Sequence, residues 1–198
     1  MLKIYYAHIQ LVKAQPVFDK WYEKMDAQRQ EKIRRCQHDV DKQRSLLAGI
    51  LLKMGLEKDR FAKQIFYSIS HSGNYVICVL SDRRVGIDIE NKFRSVFSDS
   101  KEEQMDRIAK KCLTMGEEIH YRSCEDEDRV DMLMNFWTRK ESYSKAVGMG
   151  LALDFSKIDT EEMDKQYWSG WLEDGYFCSL YVEDGSFEDM KLQEIVTL

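Results

Sequence analysis

Hydrophobic positions along the chain fall into short runs of two periods, one fitting strands and one fitting helices. Leu2–Ile9 is rich in Leu, Ile and Tyr and predicts a strand. Asp26–Gln37 is polar and predicts a helix. From Val40 to Met54, residues Val40, Leu47, Ile50/Leu51 and Met54 share one helical stripe, and Gly55 fits a C-terminal stop. Gln64–Ser70 and Asn74–Leu80 predict strands separated by His71, Ser72 and Gly73. Ser81–Arg84 predicts a hairpin turn into a third strand, Val85–Glu90. Lys101–Met115 carries Met105, Ile108, Cys112 and Met115 at helical spacing. The acidic stretch Glu117–Asp131 predicts a surface loop, and Asp131–Val147 a helix ended by Gly148 and Gly150. Gln166–Leu172 and Tyr176–Val182 predict a hairpin around Glu173, Asp174 and Gly175, and Met190–Thr197 a last strand. The fold class is α+β.

A weak repeat overlies this pattern. RSLLAGILLKMGL (44–56) and RKESYSKAVGMGL (139–151) share the leading Arg and the closing Met-Gly-Leu, and each precedes a strand pair with Gly at the turn. Chance accounts for so few identities as well as duplication does. A duplication implies two similar α+β halves with a ligand cleft where they meet.

Composition narrows the class. The 198 residues are 43% hydrophobic and 33% charged, with one proline (Pro16), which fits a folded chain of one domain or two small halves. The longest apolar stretch, Leu46–Leu52, is far short of the roughly 18 residues that cross a membrane. His8, Gln10 and Lys13 interrupt any signal-peptide core. Five cysteines, odd in number and without a CxxC pair, predict a reducing, cytoplasmic setting with neither a zinc site nor a disulfide framework. A net charge of −5 argues against a nucleic-acid partner. The N-terminal third runs against that balance, with basic residues concentrated at Arg29, Lys32, Arg34, Arg35, Lys42 and Arg44. Such a run is either a solvated helix face or a local anion site suited to a phosphate-bearing ligand.

Three short segments carry candidate chemistry. In Val85–Glu90 (VGIDIE), strand alternation turns Asp88 and Glu90 to one face and Ile87 and Ile89 to the other. Two neighbouring carboxylates repel unless a cation or proton lies between them; otherwise the strand is a solvent-facing edge. Glu141 and Lys145 share a helix face, as a surface ion pair or as a positioned acid/base pair on a helix fixed by Phe136, Trp137, Tyr143 and Val147. Ser70-His71-Ser72-Gly73 between two strands is a structural turn or a phosphate contact. Together, three carboxylates, a lysine, a histidine and a basic segment are the parts of a Mg²⁺–pyrophosphate site.

GIDIE (86–90) followed by FWTRKESYSKAVGMGL (136–151), with SISHSG (68–73) upstream and Arg44-Ser-Leu-Leu in the N-terminal half, resembles the signature of the 4'-phosphopantetheinyl transferase superfamily. The length is similar to the surfactin-synthetase-activating branch rather than the short trimeric one. The resemblance implies two α+β halves related by pseudo-twofold symmetry, divided here as 1–83 and 84–198, with the active site at their interface. It implies Mg²⁺-dependent transfer of the phosphopantetheine arm of coenzyme A to a serine of an acyl or peptidyl carrier protein by a monomer, with release of adenosine 3',5'-bisphosphate. By motif position, Asp88, Glu90 and Glu141 are the expected metal set. Glu141 is the expected base and Lys145 the pyrophosphate contact. Arg29, Lys32, Arg44, Ser70 and His71 are the expected phosphate contacts of coenzyme A. One feature departs from the branch: members usually carry a Gly-Lys-Pro segment before the Ser-His-Ser-Gly strand, whereas Leu56–Ser70 reads LEKDRFAKQIFYSIS. Lys58, Arg60 or Lys63 then become candidates for the nucleotide contacts. The 92–115 region and the N-terminal basic face are the expected carrier-docking surfaces. A non-catalytic protein of the same fold that binds coenzyme A or a carrier, and an unrelated Mg²⁺-dependent phosphohydrolase, are the competing readings.

Overall fold

The computed structural model describes residues 1–58, 64–93, 102–173 and 175–198. They form two compact units, Met1–Arg83 with Glu188–Leu198, and Arg84–Phe187.

The first unit is built on a four-stranded sheet. Its strands are β1 (Leu2–His8), β2 (Phe66–Ser72), β3 (Tyr75–Ser81) and β7 (Met190–Glu194), in the order β2-β3-β1-β7. β1 and β2 pair antiparallel with β3, and β7 pairs parallel with β1, Leu2 opposite Met190. Helices α1 (Gln15–Tyr22), α2 (Ala27–Arg34) and α3 (Asp39–Lys58) precede β2. Tyr5, Ala7, Val76, Cys78 and Leu80 on one sheet face pack with Leu46, Leu47, Ile50 and Leu51 of α3 in one hydrophobic core. Gly55 does not stop α3, as expected, but lies inside it. A Cβ there would stand 2.5 Å from Leu80 Cδ1 and 3.1 Å from Tyr5 Cε2, so glycine leaves room for these two side chains against the helix.

The second unit pairs β4 (Val85–Asn91), β5 (Tyr167–Glu173) and β6 (Tyr176–Val182) in an antiparallel sheet of order β4-β6-β5. The expected hairpin at Ser81–Arg84 is therefore corrected: β3 and β4 lie in different sheets, and the partner of β4 is the distant β6. Helices α4 (Glu102–Cys112), α5 (Met115–Ser123) and α6 (Arg129–Val147) complete the unit. The expected loop over 117–131 is corrected too. Its first half is α5, opened by a capping box in which Thr114 Oγ1 accepts from Glu117 N and Glu117 accepts from Thr114 N. The predicted turn residue Asp174 and the substitute contacts Arg60 and Lys63 lie outside the described residues, as does 94–101 of the expected docking region. The segments 44–56 and 139–151 lie on α3 and, from its middle to just past its end, on α6. All five cysteines are free, and no helix among the described residues is long and apolar enough to cross a membrane.

Candidate active site

α6 lies across β4 because β4 gives it room. A Cβ on Gly86 would meet the Ser142 carbonyl oxygen at 1.8 Å and the Ala146 nitrogen at 2.7 Å, so helix backbone rests on strand backbone. Alternation then puts Asp88 and Glu90 on the same face as Gly86, under the helix. The stripe α6 turns to them is Thr138, Glu141, Ser142 and Lys145, at i, i+3, i+4 and i+7. Thr138 and Ser142 are fully buried small polar residues that suit such a close approach. Across the sheet, Asp88 stands opposite Ser179, and Ser179 opposite Ser169. Thr138 Oγ1 and Ser179 Oγ are hydrogen-bonded at 2.7 Å, and Ser179 Oγ and Ser169 Oγ at 2.9 Å, a hydroxyl chain beneath the helix.

Four charged side chains meet in this layer. Lys145 Nζ donates to Asp88 Oδ1 at 2.6 Å and to the Ile87 carbonyl at 3.1 Å. Asp88 and Glu90 are buried, at 5% and 9% exposure, so β4 is no solvent-facing edge. Burial raises the Glu141 carboxyl above the usual carboxylate range; Asp88 and then Glu90 push the same way, and Lys145 opposes them. The helix ends just beyond, where Gly148 takes a left-handed cap (φ 75°) and Ser144 Oγ donates to the Gly150 carbonyl.

No group of three His, Cys, Asp or Glu side chains among the described residues is gathered tightly enough to hold a metal ion alone. The donor set still fits Mg²⁺. It is all oxygen, it faces one layer, and Mg²⁺ is ordinarily held by one or two carboxylates together with substrate phosphates rather than by a complete protein cage.

The first unit carries the remaining expected residues. Asp26 caps α2, its carboxylate accepting from Arg29 N at 2.7 Å. Arg29, Lys32 and Arg35 then line a cleft of about 560 Å³ with Asp26, Gln28, Glu31, Leu52 and Tyr67. Arg35 belongs to the basic run read as a possible anion site, whereas nothing in the sequence pattern points to Tyr67. Tyr67 sits two residues along the strand from Ile69 and four from His71, so these three share a sheet face; all three side chains are at least partly exposed. Ser70 belongs to the other face, with Ser68 and Ser72, and these three are buried. The Ser70 hydroxyl thus lies on the face opposite the His71 side chain. Arg44 donates from Nε (2.9 Å) and Nη2 (2.5 Å) to the Gly73 carbonyl and from Nη1 to Asp41, tying α3 to the β2–β3 turn. Lys42 pairs with Asp39, and Arg34 with Glu31. Lys58 Nζ lies 5.7 Å from the centre of the Tyr5 ring.

Sequence reasoning missed Lys140 and Glu117. Both side chains are fully buried, with Lys140 Nζ 2.5 Å from Glu117 Oε2. The Thr-x-x-Glu spacing of the capping box was the signal available for Glu117; its pairing with Lys140 has no local signature.

Comparison with known proteins gives this arrangement a family. The chain is 25% identical to a Bacillus subtilis protein named 4'-phosphopantetheinyl transferase, over 94% of this chain and 90% of that one. It is 26% identical to 4'-phosphopantetheinyl transferase Sfp of Bacillus subtilis strain 168, over 77% and 73%. It is 33% identical to the L-aminoadipate-semialdehyde dehydrogenase-phosphopantetheinyl transferase of Xenopus laevis over 48% of this chain and 32% of that protein. The family model described as the 4'-phosphopantetheinyl transferase superfamily matches residues 84–193, which hold β4, α6 and all four of the charged side chains described above. With more than half of its length matched, and that half containing the candidate site, the chain belongs to the 4'-phosphopantetheinyl transferase superfamily.

Proposed function

We propose that this chain is a 4'-phosphopantetheinyl transferase. It moves the phosphopantetheine arm of coenzyme A to a serine of an acyl or peptidyl carrier protein, acts as a monomer with Mg²⁺, and releases adenosine 3',5'-bisphosphate. The observation that carries this reading is the convergence of buried Asp88 and Glu90 with half-buried Glu141 and Lys145 in one layer between β4 and α6. The names of its relatives point the same way.

In this reading the serine oxygen attacks the phosphorus that bears the pantetheine arm. The new P–O bond forms as the bond to the bridging oxygen breaks, and adenosine 3',5'-bisphosphate leaves with that oxygen and its electron pair. A serine hydroxyl is a poor nucleophile at neutral pH, so its proton must pass to a base within hydrogen-bond reach. Glu141 takes it, directly or through a water, and the raised affinity of its carboxylate for a proton suits that task. Lys145 shifts from Asp88 to the pyrophosphate and stabilises the charge growing on the leaving group. Asp88, Glu90 and Glu141 are the residues that would hold Mg²⁺, which when bound would neutralise pyrophosphate charge that repels the incoming oxygen. Arg29 and Lys32 hold the 3'-phosphate of coenzyme A, with His71, Arg44 and the Ser70 backbone on its other phosphates.

The test is intact-mass measurement of apo carrier proteins incubated with this protein, coenzyme A and Mg²⁺. The expected result is a gain of one phosphopantetheine that EDTA prevents. Coenzyme A binding without any gain, over a panel of fatty-acid, polyketide and peptide-synthetase carriers, rejects catalysis in favour of a binding protein. A second measurement checks the cleft. Replacing both Arg29 and Lys32 by Ala is expected to raise the KM for coenzyme A about tenfold or more, the scale of a lost charged hydrogen bond. The KM for dephospho-coenzyme A, which lacks the 3'-phosphate, should stay unchanged. An equal rise for both substrates would place the 3'-phosphate elsewhere.

A further inference from the structure

The strongest feature outside the candidate site is the buried pair Lys140–Glu117. Lys140 spends its three donors on Glu117 Oε2, the Phe155 carbonyl (2.9 Å) and the Ile158 carbonyl (2.5 Å). The Glu117 carboxylate also accepts from Thr114 N (2.9 Å), Thr160 N (2.9 Å) and Thr160 Oγ1 (2.7 Å). The pair thus ties together α6, the start of α5 and the 155–160 segment. Burying a lysine and a glutamate is a poor way to gain stability, because well-packed apolar residues of the same volume do as well or better. What the pair supplies is direction. Each bond has a fixed angle, whereas an apolar contact tolerates sliding.

Direction matters at this helix. α6 rests on β4 and β6 through the small residues Gly86, Thr138 and Ser142, with Lys145 bonded to Asp88 and Tyr143 edge-on to Tyr181 beside them, so its roll is set by these sheet-side contacts together with whatever anchors its other buried side. Its other buried stripe, Leu133, Phe136 and Lys140, faces α5 and the 155–160 segment. Lys140 and Glu141 are successive residues, so they project about 100° apart around the axis. A 10° roll at a side-chain radius of roughly 5–6 Å moves Glu141 by about 1 Å, enough to cost about 10²-fold in a reaction that depends on position.

We propose that Lys140 and Glu117 are positioning residues: their buried ion pair sets the roll of α6 and so presents Glu141 to Asp88 and Glu90. This rests on the metal-dependent transferase reading above. The test uses the full chain and two mild variants. Glu117→Gln keeps the shape and removes the charge. Thr160→Val removes one hydrogen bond to Glu117 and adds no bulk. Mn²⁺ binding is followed by electron paramagnetic resonance without substrate, and transfer kinetics are measured separately. The expected result is Mn²⁺ affinity weakened about tenfold or more in Glu117→Gln, the usual range for a group that orients a metal ligand. A smaller loss is expected in Thr160→Val. In both, kcat per folded molecule should fall while the KM for coenzyme A stays within about twofold; a general loss of folded protein would lower only the apparent kcat and leave the Mn²⁺ dissociation constant parental. Folded variants with parental Mn²⁺ affinity and kcat would overturn the proposal. If Glu117→Gln does not fold, Thr160→Val decides alone. Glu141→Gln is the control. If it binds Mn²⁺ as the parent does, the metal reading itself fails; if it loses Mn²⁺ while Glu117→Gln keeps it, only the positioning role fails.

Discussion

Glu141→Gln is expected to abolish transfer while leaving a folded protein that, without divalent metal, unfolds at a higher temperature than its parent. Loss of the base alone costs about 10²–10⁴-fold, and loss of a metal carboxylate adds to it. The gain in stability comes from the same layer. Burial, Asp88 and Glu90 all disfavour the charged form of Glu141, and Lys145 offsets only part of this. A carboxyl whose pKa is raised by folding contributes stability that is complete below its unfolded-state pKa. That stability is lost as pH rises through the folded-state value. Glutamine has no such loss. Its advantage should be absent in acid, open above the ordinary glutamate value, and level off beyond the raised pKa of Glu141. Each kcal/mol appears as about 2–4 °C in a chain of this size. Added Mg²⁺ should reverse the order, because it stabilises only the protein that binds it. Thermal melts across pH, with and without Mg²⁺, measure all of this. Equal melting temperatures at neutral pH and unchanged turnover would remove Glu141 from both its roles.

Gly86→Ala is expected to damage fold and activity together. The new methyl would stand 1.8 Å from the Ser142 carbonyl, where the obstacle is helix backbone and not a side-chain tip that can swing away. α6 must lift off β4, which carries Lys145 away from Asp88. Overpacking usually costs about 1–3 kcal/mol, and a backbone clash falls at or above the top of that range. Melting should drop by roughly 10 °C, and the remaining folded protein should transfer at least about 100-fold more slowly. An alanine variant with parental melting and turnover would mean that the helix does not depend on this approach. The glycine of the GIDIE segment is thus tied to the two carboxylates that follow it: without it, they face a helix too distant to complete the site.

Where residues that act together lie in one local pattern, the sequence was readable. Alternation in VGIDIE places Asp88 and Glu90 together, and a spacing of four places Glu141 and Lys145 on one side of α6, as the structure has them. Where the deciding contact is distant, the reading failed. Gly55 looks like a helix stop until Leu80 is seen against it. Ser81–Arg84 has the composition of a hairpin, but the partner of β4 is set by packing under α6 and not by the turn. The acidic charge of 117–131 reads as a loop, yet Thr114 and Glu117 have the spacing of a capping box, and the most buried carboxylate of α5 belongs to it. Lys140 was hidden by its neighbours. Beside Arg139 and Glu141 it reads as one more surface charge, and only the fold shows its ammonium enclosed by carbonyls.

The parallel pairing of β7 with β1 bears on how the chain comes to be folded. Synthesis delivers β1 well before its outer neighbour β7, with the whole second unit made in between. The second unit is continuous and can close on its own contacts, whereas the sheet of the first stays one strand short until Met190–Glu194 emerges. Contacts so far apart in the chain form slowly. Through that delay the outer side of β1, from Leu2 to Tyr6, is an open strand edge that any extended chain could join. The first unit is therefore begun before the second and completed after it, and its open edge persists at least until Met190–Glu194 has been made.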